Sequence, residues 1–181
     1  MCVADCHAGL CCRCKYSAAR HNGDEKIPMT TTANHILLIA HAPLAQALRE
    51  CALHVFADCG DDVSVLDVPP NENPETTLQV ARVLLAQSGA ERTLVLSDVF
   101  GATPSNVAHR LVEGSAARLL VGVNLPMLLR ALCYRHEPLE QQAARALAGG
   151  QQGMLQVGCG NAPQNQTSRK EHGQDRDHHQ Q

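Results

Sequence analysis

Ile36-Leu37-Leu38-Ile39-Ala40-His41-Ala42-Pro43-Leu44 is the stretch that decides the fold. An apolar run this short, with no polar residue between its members, reads as a strand buried on both faces. Pro43 then sits where a helix begins, and Leu44, Leu48, Cys51 and Val55 fall on one helical face. Strand followed at once by amphipathic helix is half of a βαβ unit, so the pattern asks for parallel partners further along. His41 stands at the join, beside backbone N–H groups of a helix start.

The partners follow in order. Val63–Val68 reads as a second strand, and the turn Pro69-Pro70-Asn71-Glu72-Asn73-Pro74 supplies an Asn cap and a Pro at the first helical position. Leu78, Ala81 and Leu85 continue that helix. Thr93–Ser97 reads as a third strand with a helix opening at Thr103-Pro104, and residues 118–123 as a fourth with a helix opening at Asn124-Leu125-Pro126. Pro138 opens a last helix to about Ala148, and residues 153–157 read as one more strand at the edge. The expected fold is α/β, a doubly wound, mostly parallel sheet of about four strands with an extra C-terminal edge strand and helices on both faces.

Composition narrows the function. Two Phe, two Tyr and no Trp leave little to stack on bases, and the net charge is −3, so no nucleic acid partner is expected. No apolar stretch approaches the roughly 20 residues of a membrane helix, and the N-terminus lacks a signal-peptide layout. A cytoplasmic location is expected. Five of the nine cysteines fall at Cys2, Cys6, Cys11, Cys12 and Cys14, without paired C-x-x-C units, so neither a zinc site nor any other metal or cofactor is expected. Residues 1–33 read as a disordered Cys-rich extension, 34–157 as the folded domain, and 158–181 as a disordered polar tail.

In an open parallel sheet the ligand site lies at the carboxyl ends of the strands. Three segments converge there: His41 after the first strand, Asp98-Val99-Phe100-Gly101-Ala102-Thr103-Pro104-Ser105-Asn106 after the third, and Asn124 after the fourth. Asp98 is placed to bond one ring nitrogen of His41 and leave the other as a nucleophile. Thr103 and Ser105 bring hydroxyls and free N–H groups to a helix start, an anion cradle. Phosphoryl transfer needs little beyond positioning and charge stabilisation. The remaining histidines, His35, His54, His109 and His136, read as surface or helix-face residues without chemistry.

Three of these pieces carry a resemblance: Ala40-His41-Ala42-Pro43-Leu44-Ala45, Asp98 through Asn106, and Gly122-Val123-Asn124-Leu125-Pro126-Met127. Residues 35–157 resemble the mannose-type enzyme IIA domain of the bacterial phosphoenolpyruvate-dependent sugar phosphotransferase system. The resemblance implies a phosphotransferase with a phosphohistidine intermediate, in which His41 accepts a phosphoryl group from the HPr phosphocarrier and passes it to an enzyme IIB component. It implies that Asp98 orients His41, and that Ala42, Thr103, Ser105 and Asn124 hold the phosphate. It also implies a homodimer that exchanges the final strand, and membrane contact only indirectly, through a permease complex. The family usually has His-Gly after the first strand, where this chain has His41-Ala42-Pro43. Two further readings share the histidine: the phosphoryl-donor subunit of a dihydroxyacetone kinase, and a regulatory module whose phosphorylation state other proteins read. A response-regulator receiver is excluded, because the first strand ends in His41 rather than in acids for magnesium and residues 29–157 contain no Lys.

Overall fold

The structure, a computed structural model, describes residues 33–157. The expected extension and tail lie outside these residues, apart from Ala33. Four strands form one parallel sheet: β1 (His35–His41), β2 (Val63–Val68), β3 (Thr93–Ser97) and β4 (Ala117–Val121), in the order β2-β1-β3-β4. Five helices connect and cover them: α1 (Leu44–Val55), α2 (Pro74–Gln87), α3 (Thr103–Val112), α4 (Leu125–Cys133) and α5 (Leu139–Gln152). The chain is therefore the doubly wound α/β fold expected.

The unbroken apolar run of β1 has its explanation in two cores. Ile36, Leu38 and Ala40 point to one face of the sheet and pack with Ala45 and Ala52 of α1, Met127, Leu128, Ala131 and Leu132 of α4, and Ala143 and Ala146 of α5. Leu37 and Ile39 point to the other, against Leu78 and Ala81 of α2 and Val107, Ala108 and Leu111 of α3. Every β1 residue from Ile36 to Ala40 is at most 1% exposed. Neither face reaches water, so no polar residue alternates into the strand. Truncating Leu38 to Ala in such a core costs about 2–5 kcal/mol.

Local signals hold where the chain supplies its own cap. The Asn73 side chain accepts from Glu75 N–H at 2.9 Å with Pro74 next, as the turn sequence predicts. A 3₁₀ helix over Ala57–Asp62 was not expected; it is pinned by the Arg49 guanidinium, which donates to the carbonyls of Gly60 and Val63, and it buries Cys59. Arg110 of α3 pairs with Glu75 of α2 through two hydrogen bonds across the outer surface.

Two expectations are corrected. Residues 153–157 form no strand in this chain: α5 runs through Gly149-Gly150 to Gln152, Gly153 caps it, and Met154, Leu155 and Val157 stand 68–80% exposed. A strand needs an edge to pair with, and no described strand pairs with this segment. His35 is not a surface residue. It is the first residue of β1, 6% exposed, with Nε2 2.9 Å from Ser64 Oγ on the neighbouring strand.

Candidate functional site

The chain turns from β1 to β2 on one side and to β3 on the other, so the order reverses between β1 and β3. That is the topological switch point, where an open sheet leaves a crevice at its carboxyl edge. His41 is the last residue of β1, and Asp98 follows the last residue of β3. The pairing of Ile39 with Ser97 sets the two side by side.

One carboxylate oxygen holds His41 twice. Asp98 Oδ2 lies 2.9 Å from the His41 backbone N–H and 2.7 Å from its Nδ1, while Oδ1 accepts from Val99 N–H at 2.7 Å. Burial of the carboxyl pushes its pKa up. The bonds from the His41 main chain, the His41 ring and Val99 outweigh that effect, and the net shift is below the ordinary carboxylate value. An ionised carboxylate only accepts, so Nδ1 carries the proton and Nε2 presents a lone pair. The side chains differ in access: Asp98 is 7% exposed and His41 52%. The carboxylate is shielded and the imidazole is open.

The loop after β3 is built around that pair. Gly101 takes φ 83°, a left-handed conformation that turns the chain into α3. Asn106 Nδ2 donates to the Gly101 carbonyl and closes the loop. Behind it, Gly122 N–H donates to Asp98 O and Val123 N–H to Ser97 O, so the segment after β4 is zipped onto the segment carrying the carboxylate. Val99 and Phe100 follow Asp98 directly in the chain and protrude, Val99 58% and Phe100 86% exposed.

The expected phosphate ligands divide. Thr103 and Ser105 open α3, whose N-cap is Ala102 with no side-chain cap and no acid in the first turn. Among the described residues their N–H groups have no protein acceptor, as the first turn of a helix dictates. Ser105 is buried as a residue, 3% exposed. Thr103 does not cap the helix as its type suggested. Ala42 is committed elsewhere: its N–H donates to Val68 O at 3.0 Å, in continuation of the β1–β2 ladder. Asn124 is committed too, with Oδ1 accepting from Met127 N–H to cap α4 and Nδ2 donating to Gly150 O on α5. Neither is free to bind phosphate through those atoms. Sequence reading missed Asp67, which stands next to the end of β2 and accepts from Ala45 N–H at 2.9 Å. The absence of a side-chain acceptor at the start of α1 was the available signal.

The family model of the PTS (phosphotransferase) system fructose IIA component matches residues 35–149. The sorbose-specific EIIA component of Lacticaseibacillus casei is 28% identical over 95 residues, 52% of this chain and 68% of that protein. Among solved structures, the mannose/sorbose-specific IIA subunit from Enterococcus faecalis superposes with a TM-score of 0.65 at 22% identity, covering 72% of this chain and 99% of the other. The EIIA component from Streptococcus agalactiae gives 0.57 at 24% identity, covering 67% and 95%. These structures share the fold. No helix among the described residues is long and apolar enough to cross a membrane.

Proposed function

Because the chain belongs to the PTS system fructose IIA component family, we propose that it is a phosphoryl carrier of the sugar phosphotransferase system that works through His41. The observation that carries the reading is the double hold of Asp98 Oδ2 on His41, which keeps the ring proton on Nδ1 and leaves Nε2 as the nitrogen with a lone pair. Nε2 attacks the phosphorus of a phosphohistidine on the HPr phosphocarrier. A new N–P bond forms, the donor's N–P bond breaks, and the donor imidazole keeps that electron pair. Asp98 balances the positive charge that develops on the His41 ring. The Thr103 and Ser105 N–H groups at the start of α3 receive the phosphoryl oxygens. An enzyme IIB component then attacks the same phosphorus, and His41 recovers its lone pair.

Val99 and Phe100 give donor and acceptor an apolar rim to dock against, in the place where both must approach. Met154, Leu155 and Val157 supply a second exposed apolar segment, which a second copy of the chain would cover by pairing along a sheet edge, as in a homodimer. Membrane contact is indirect, through a permease complex.

Incubation with phosphoenolpyruvate, enzyme I and HPr tests the reading. The protein should acquire an acid-labile, base-stable phosphoryl group that disappears in His41→Ala. Ending the chain after Gly153 should leave the fold and convert a dimer to a monomer in light scattering; an unchanged mass would remove these residues from the interface.

A further inference from the structure

Two helices open close to the His41–Asp98 pair, and their N-termini are treated differently. α3 starts without a side-chain cap and without an acid in its first turn, which leaves its positive end bare. α1 also has no cap of its own, since Pro43 occupies the N-cap position and the first turn holds no acid. Here, however, another strand intervenes. Asp67 of β2 reaches over and accepts from Ala45 N–H at 2.9 Å, placing a carboxylate on the α1 terminus. The register makes this possible: Asp67 is opposite Ala40, Val68 is opposite His41, and Val68 O takes the Ala42 N–H. Of the two positive helix ends beside the nucleophile, one is neutralised by a built-in anion and one is not.

We propose that Asp67 is a positioning residue for the phosphoryl group carried by His41, resting on the reading that His41 is phosphorylated. Its carboxylate repels the phosphoryl oxygens from the α1 terminus and leaves the α3 terminus as their seat. It also limits how strongly the phosphorylated state is stabilised. A carrier must release its group as readily as it accepts it, and two bare helix ends around one phosphoryl group would hold it too firmly.

Asp67→Asn separates charge from capping, because the amide oxygen still accepts from Ala45 N–H while the negative charge is lost. Asp67→Ala removes both. The full-length protein is phosphorylated with phosphoenolpyruvate, enzyme I and HPr. Three quantities are followed: the rate at which the purified phosphoprotein loses phosphate to water, the equilibrium with phospho-HPr, and the thermal midpoint of the unphosphorylated protein. Asp67→Asn should lower its midpoint less than Asp67→Ala does, lose phosphate more slowly and move the equilibrium toward phospho-His41, the last two each by about two- to fivefold, the range expected for one charge at a helix terminus. Asp67→Ala should show a lowered midpoint as well. If Asp67→Asn hydrolyses and equilibrates like the wild type, or shifts the other way, Asp67 is a structural cap and the inference is overturned. If the wild-type protein takes no phosphoryl group under these conditions, the carrier reading itself falls, and the inference with it.

Discussion

Asp98 Oδ2 accepts from both the backbone N–H and the ring Nδ1 of His41, so a single carboxylate oxygen fixes main chain and imidazole together. A strand end is where the ladder stops and a side chain gains freedom. This pairing removes that freedom at the one residue whose direction matters. It also sets the tautomer, since a carboxylate with a lowered pKa has no proton to give.

Asp98→Asn tests that hold. An amide can accept from His41 through one atom only, and its NH₂ favours the wrong tautomer of the ring. Phosphoryl transfer onto His41 should fall roughly ten- to hundredfold, the range found when a carboxylate orienting a metal-binding imidazole is removed. Rapid-quench kinetics with phospho-HPr measures it. A rate within twofold of wild type would show that the carboxylate is dispensable.

The bare start of α3 makes a second test. Ala102 has the extended backbone of an N-cap, φ −79° and ψ 167°, without a side chain that can accept. Ala102→Asp should raise stability by about 0.5–2 kcal/mol, the usual worth of such a cap. The same carboxylate would occupy the N–H groups assigned to the phosphoryl oxygens and lower the phosphorylated fraction at equilibrium. Urea unfolding and the equilibrium with phospho-HPr check the two halves. Added stability with unchanged phosphorylation would move the anion seat away from α3.

Gly153 ends α5 against the ring of Pro126. A Cβ there would come within 2.5 Å of Pro126 Cγ and 2.6 Å of its Cβ, and a proline ring cannot swing aside. Its φ of −77° suits any residue, so the effect of Gly153→Ala is steric rather than conformational. Overpacking of this kind costs about 1–3 kcal/mol, and the urea midpoint should fall accordingly.

Buried His35 gives the protein a pH dependence in the mildly acidic range. Burial penalises its charged form, Asp62 only partly compensates, and the folded pKa lies below the 6.5 of a free imidazole. Above 6.5 neither state is protonated and the stability is whole. As the pH falls from 6.5 toward the lower folded value, the unfolded chain binds the proton first and stability declines. His35→Gln can still bond Ser64 and cannot titrate, so urea midpoints measured across this range should lose that slope. A mutant with the wild-type slope would assign it to another group.

Much of this was legible in the sequence, for a physical reason. A strand buried on both faces carries only apolar residues, so Ile36–Ala40 announces a covered parallel sheet, and the sheet's carboxyl edge then places His41 and Asp98 without further information. What was illegible depends on partners distant along the chain. Ala42 and Asn124 have the right types for a phosphate site, but Val68 O and Gly150 O claim them. His35 looked like a surface histidine because nothing local reveals Ser64 beside it. The same long-range logic hid Asp67, a cap lent to α1 by another strand. Residues 153–157 have strand composition, yet within one chain they find no edge.

The most direct measurement is the location of the phosphoryl group. The nitrogen-labelled protein is phosphorylated with phosphoenolpyruvate, enzyme I and HPr, and its histidine ring nitrogens are read by NMR. The expected result is one phosphoryl group, coupled to Nε2 of His41 and missing from His41→Ala. Phosphate on Nδ1, on another residue, or retained in full by His41→Ala would contradict it.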